Sequence, residues 1–150
     1  MGVTKMIKWK KEMQESYNLY LDDIREPSQS YKKTIDKRYK DLKWKIVRCY
    51  SEFVETIALN GIPNVVSFDH DLGEEHINYY FDNGGRENPP DPLKCHFTEK
   101  TGYDCAKWLV EYCSENGLPM PTYLIHSANP VGSQNIRFIL ENYTKKHPFS

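Results

Sequence analysis

The stretch NVVSFDHDLGEE, residues 64 to 75, limits the fold of this chain more than any other. Val65, Val66 and Phe68 make an apolar run of strand length. Asp69, His70 and Asp71 follow at once. Such groups are costly to bury unless they are paired, bound to a metal or put to chemical use. A strand that ends this way calls for neighbours that end in a compatible way.

Two other runs do. YNLYL (17 to 21) passes into Asp22 and Asp23, and TYLI (122 to 125) passes into HSANP. A fourth run, WKIVRCY (44 to 50), reads as a strand, and Ser51 is placed to cap a helix in which Phe53, Val54, Ile57 and Ala58 share a face before Gly61. Thr101 and Asp104 form a capping pair ahead of Cys105, Trp108, Leu109, Tyr112 and Cys113, which recur at helical spacing up to Gly117. Ile136, Ile139, Leu140 and Tyr143 mark a last amphipathic helix. Residues 28 to 43 are polar and basic with a weak period and read as a connection. Residues 74 to 100, with Gly-Gly, Pro-Pro and many polar groups, read as a long loop of the kind that serves as a functional lid.

Strands alternating with helices imply right-handed crossovers, a mostly parallel sheet and helices on both faces, a three-layer α/β fold. In such a sheet the strand ends share one edge, and ligands bind where the strand order reverses. With 150 residues the chain fits one domain and a sizeable core. Hydrophobic content of 39% and charged content of 27% exclude disordered and fibrous classes. No apolar run approaches the roughly 18 to 20 residues of a membrane span, and residues 1 to 16 lack the apolar centre of a signal peptide, so a cytoplasmic protein with no membrane partner is expected. The four cysteines have no C-x-x-C pairing and read as core thiols in a reducing compartment. Residues 1 to 48 hold 13 Lys/Arg against 7 Asp/Glu, the remainder 7 against 14, an asymmetry read as a solvated lysine-rich face because the lysines are scattered.

The expected edge gathers Asp22, Asp23, Asp69, His70, Asp71, His126, Ser127 and Asn129. Carboxylates crowded together repel unless a cation offsets them, and Mg²⁺ or Mn²⁺ suits oxygen ligands. Arg25 either pairs with an acid or holds a phosphate. His70 and His126 are able to divide general base from general acid, or each merely settles a carboxylate by a hydrogen bond. Ser127 lacks a nucleophile elbow and suits donation to a phosphate. Asn129 before Pro130 is a turn residue or an oxyanion donor, and Gly132 and Ser133 sit where a helix start favours an anion. His76, Cys95 and His96 match no strong metal spacing.

LYLDDIREP, VSFDHDLG, TGYDCAKWL and IHSANPVG, in this order, resemble the cyclic-phosphate processing receiver domains, a branch of the receiver (flavodoxin-like) fold. The resemblance runs from about Tyr17 to Tyr143, leaves residues 1 to 16 as an N-terminal extension and assigns 17 to 150 to the domain. It implies an acidic receiver pocket recruited to process a cyclic phosphate on a nucleotide or RNA end. By motif, Asp22 and Asp23 take the metal-binding position, Asp69 ends strand three with His70 and Asp71 added, and His126, Ser127 and Asn129 end strand four. No fifth strand ending in lysine is visible, and the loop at 74 to 100 is enlarged.

Three functions follow. In a metal-assisted phosphodiesterase, Asp22, Asp23 and Asp69 hold Mg²⁺ or Mn²⁺ while His70, His126 and Asp71 carry the proton chemistry, with Arg25, Ser127, Asn129, Gly132 and Ser133 toward the ligand. His126→Ala should then abolish turnover and leave the fold intact. A binding module would sequester the same ligand uncleaved. An adaptor would dock a protein through the long loop.

Overall fold

The computed structural model describes residues 16–72 and 100–147. Four strands, β1 (Asn18–Leu21), β2 (Trp44–Val47), β3 (Val65–Phe68) and β4 (Thr122–Ile125), form a sheet of order β2-β1-β3-β4. Every pairing is parallel. The helices are α1 (Pro27–Thr34), α2 (Arg38–Asp41), α3 (Tyr50–Asn60), α4 (Gly102–Asn116) and α5 (Pro130–Lys146). The strand order reverses between β1 and β3, where a crevice at the carboxyl edge is expected for a doubly wound sheet.

Strand alternation separates two faces. Leu19, Leu21, Val47, Val66 and Phe68 point to one side and bury with Phe53 and Ile57 of α3, Cys105, Ala106 and Leu109 of α4, and Ile136 and Leu140 of α5. This is the hydrophobic core. Tyr20 and Ser67 point to the other side, toward α1 and α2. There Tyr20 Oη lies 2.7 Å from Ser30 Oγ, and the Tyr20, Tyr39 and Trp44 rings make edge and stacked contacts.

The strands and the three long helices stand where the periodicity places them. The segment 28 to 43 differs, because it forms two helices rather than a connection. Pro27 occupies the first helical position, where its missing N–H costs nothing, and Gln29 Oε1 accepts the Glu26 N–H at 2.7 Å. Its apolar period is weak because α1 and α2 bury Ser30 and Tyr39 against hydroxyl and aromatic partners rather than an aliphatic stripe. Cys49, not Ser51, stands at the start of α3, and β2 ends at Val47. Gly61 and Gly117 close α3 and α4 at φ of 84° and 61°, a region that favours glycine.

Cys105 and Cys113 are buried free thiols, but Cys49 is disulfide-bonded to a partner outside the described residues. The loop expectation for 74 to 100, with His76, Cys95 and His96, falls almost wholly outside the described residues. Among those described, the sheet has four strands, and no helix is long and apolar enough to cross a membrane.

Candidate functional site

The register decides which strand-end residues meet. Leu21, Phe68 and Ile125 are aligned neighbours, so the residues after them, Asp22, Asp69 and His126, lie side by side on the polar-aromatic face. The ladder carries on into them: Asp22 N–H donates to Val47 O, Asp69 N–H to Leu21 O and His126 N–H to Phe68 O, each at 3.0 to 3.1 Å. Each of the three offers one donor atom within 4.8 Å of the others. Asp23 is buried beside them but lies outside that group.

Around His126 the surroundings are closed. Its side chain and that of Asp22 are both 0% exposed, with Nε2 3.1 Å from Asp22 Oδ2. Nδ1 lies 2.6 Å from Ser67 Oγ, which lies 2.6 Å from Tyr39 Oη. The imidazole stacks on the Tyr20 ring at 4.4 Å and meets the Tyr39 ring edge-on at 6.0 Å. Asp22 Oδ1 accepts the backbone N–H groups of Ile24 and Arg25 at 3.0 and 2.8 Å. Burial opposes the Asp22 charge most strongly, yet the hydrogen bonds from His126 and these two amides outweigh it and hold the carboxyl below its usual range. Burial dominates at His126 and lowers its basicity, aided by the Arg25 and Lys33 charges and opposed by Asp22. The pair is therefore an ionised Asp22 and a neutral His126.

On the other side of the edge, the segment after β3 sits on two helix starts. Gly102 N–H donates to His70 O at 2.7 Å, and a Cβ on Gly102 would stand 1.7 Å from Asp69 O. A Cβ on Gly132 would stand 2.3 Å from His70 Cγ. These two positions need glycine because the DHD backbone and the imidazole press directly on α4 and α5. His70 is 17% exposed in its side chain, and its Nδ1 lies 2.9 Å from Asp71 Oδ1. Its Nε2 has no hydrogen bond within the described residues. An imidazole oriented by a carboxylate at one nitrogen and open at the other is equipped for proton transfer.

The remaining expected ligands are used locally. Asn129 Oδ1 caps α5 by accepting Gly132 N–H at 2.9 Å, and its Nδ2 lies 3.4 Å from Asp71 Oδ1. Ser127 Oγ accepts Asn129 N–H at 3.0 Å, and Ser133 N–H donates to Asn129 O. Gly132 thus serves close packing on His70 rather than presenting its N–H. Arg25 contributes its backbone amide to Asp22 and its carbonyl to Arg48.

Sequence reasoning missed Arg48, Ser67, Tyr20 and Tyr39. Arg48 donates to the carbonyls of Asp22 and Arg25 at 3.2 and 2.6 Å and to Glu26 Oε1 at 2.9 Å, clasping the loop after β1. Its position just past β2 was the available signal. Ser67 is a hydroxyl in the middle of an apolar strand, which also marks it out.

A family model described as the cyclic-phosphate processing receiver domain matches residues 17–142. The chain belongs to this family. Its receiver-like fold, with the acidic strand ends at the switch point, is the one the motifs LYLDDIREP and IHSANPVG imply. No curated protein and no solved structure matches the chain.

Proposed function

We propose that this receiver-like domain hydrolyses a cyclic phosphate on a nucleotide or RNA end, with His70 as the proton-transfer residue and Asp71 orienting it. The observation that carries this reading is a His70 held by the Asp71 carboxylate at Nδ1, with no hydrogen bond at Nε2 among the described residues, where the segment after β3 meets the starts of α4 and α5. His70 Nε2 takes the proton of the attacking water and returns it to the leaving oxygen, so that one group serves in both directions. Asp71 keeps the proton on Nδ1 and stabilises the imidazolium while it exists.

A divalent cation, Mg²⁺ or Mn²⁺, belongs to the same reading. The buried oxygens of Asp22 and Asp69 gather closely enough to share an ion, with Asp23 adjacent. Such an ion would polarise the phosphoryl oxygens and offset the crowding of acids. His126 is enclosed at both nitrogens and stays outside the proton transfer.

One observation favours a second reading, a module that holds the phosphate uncleaved: Asp22 and Asp69 are 0% and 2% exposed, as in a site built to retain. Incubation of the protein with 2′,3′-cyclic, 3′,5′-cyclic and cyclic-dinucleotide phosphates, each with Mg²⁺, Mn²⁺ or EDTA, separates the two by chromatography. Product that vanishes in EDTA supports the cation-assisted hydrolase. Turnover that persists in EDTA removes the cation and leaves His70. Stoichiometric binding with intact ligand recovered replaces the hydrolase by the module.

A further inference from the structure

The chain Tyr39–Ser67–His126–Asp22 has a direction. An ionised carboxylate only accepts, a phenol carries one proton, a serine hydroxyl donates once and accepts, and a neutral imidazole has one N–H. Among the described residues Ser67 Oγ is the hydrogen-bond partner of the Tyr39 phenol, and Tyr39 is 4% exposed. If His126 carried its proton on Nδ1 it would donate to Ser67, Ser67 would donate to Tyr39, and the phenol proton would be stranded in the interior. Nε2 would then meet Asp22 as acceptor against acceptor. With the proton on Nε2, every donor is used: Tyr39 to Ser67, Ser67 to Nδ1, Nε2–H to Asp22.

We propose that Ser67 and Tyr39 are positioning residues that lock His126 as the Nε2–H donor to Asp22. The Tyr20 ring, stacked 6° from parallel to the imidazole, fixes the plane in which that donor points. His126 then has no lone pair to offer at Nε2, either to a proton or to a cation. It aims Asp22 Oδ2, while Oδ1 is aimed by the amides of Ile24 and Arg25. Three apparent ligands therefore separate into carboxylates that face a cation and an imidazole that orients one of them. This deepens the reading of the pocket as a phosphate-processing site, yet its test needs no substrate, so failure of either leaves the other distinguishable.

The test is long-range ¹H–¹⁵N correlation on the full chain labelled at histidine, metal-free. Wild type is expected to show His126 with a proton-free, hydrogen-bonded Nδ1 and a protonated Nε2. Ser67→Ala should move the Nδ1 resonance toward that of an unbonded nitrogen, Tyr39→Phe should move it part of the way, and Ser67→Thr should restore it. In Asp22→Ala the hydroxyl pair alone should keep the Nε2–H form in roughly tenfold excess, since stranding the buried phenol proton is the alternative. Adding Ser67→Ala to that variant should abolish the excess. A protonated Nδ1 in wild type overturns the proposal without any variant. So does an Nδ1 resonance indifferent to Ser67→Ala.

Discussion

The two faces of the sheet do different work with the same four strands. On one, Leu19, Leu21, Val66 and Phe68 pack on three helices with aliphatic and aromatic carbon. On the other, the Tyr20 hydroxyl meets Ser30 and the Ser67 hydroxyl meets His126 and Tyr39, and the two short polar helices that carry Ser30 and Tyr39 cover them. The acidic edge inherits this division. Asp22, Asp69 and His126 extend the polar face and are closed off, whereas His70 turns to the apolar side and rests on α4 and α5 with one nitrogen open. One fold thus holds one histidine enclosed at both nitrogens and another held at one nitrogen by Asp71, the one to which the proposed chemistry is given.

The largest test of this contrast is His126→Ala. Removing the imidazole leaves the Asp22 carboxylate buried without it and empties the space on Tyr20, so urea denaturation should show a loss of about 4 kcal/mol. The sequence expectation is a variant inactive but intact; the enclosed contacts of His126 with Asp22, Ser67 and Tyr20 predict instead a loss of stability. A variant as stable as wild type would return His126 to the candidates for catalysis. Gly102→Ala comes next: its Cβ overlaps the Asp69 carbonyl, part of the backbone, so about 3 kcal/mol should be lost by the same measurement.

Lowering pH should then separate the faces without mutation. His126 is less basic folded than unfolded, so the unfolded chain binds more protons as pH falls below the ordinary histidine value of about 6.5, and stability drops from there down through the lower folded value. Asp22, held below its usual range, adds a second loss at more acidic pH, as its carboxyl is titrated through the folded value. Thermal melting of chelator-treated protein should fall between pH 7.5 and pH 5.5, and His126→Phe should flatten that slope. A pH-independent melt would mean that His126 takes up its proton equally in the folded and unfolded chain, and a melt that rises toward pH 5.5 that the imidazole is charged in the fold. Smallest in stability is Gly132→Ala, about 1 kcal/mol, because the imidazole it meets is able to shift; its cost should appear in turnover, through a displaced His70.

Much of this was legible before any coordinates. Val65 to Phe68, Thr122 to Ile125 and the helix of Cys105, Leu109 and Cys113 have strong periods because they face aliphatic neighbours. The helices α1 and α2 were hidden because their buried residues, Ser30 and Tyr39, are amphipathic and leave no aliphatic stripe. At the edge, residue types were readable but their grouping was not. Asp22 and Asp23 are adjacent in sequence, and only the register of Leu21 with Phe68 and Ile125 selects Asp22 as the neighbour of Asp69 and His126. Nor does sequence distinguish the enclosed His126 from the open His70, since both follow a strand; the difference comes from what lies beyond, Tyr20 and Ser67 for one and two glycine-started helices for the other.

In the proposed function His70 carries the proton chemistry of a cyclic-phosphate hydrolase. The most direct measurement is single-turnover hydrolysis of the cyclic phosphate cleaved by wild type, set against His70→Gln with ligand affinity and urea stability determined on the same samples. The rate should fall by about a hundredfold or more, affinity should change little, and stability should stay within about 0.5 kcal/mol. Hydrolysis by His70→Gln at the wild-type rate, or a wild-type protein that binds every cyclic phosphate and cleaves none, would contradict it.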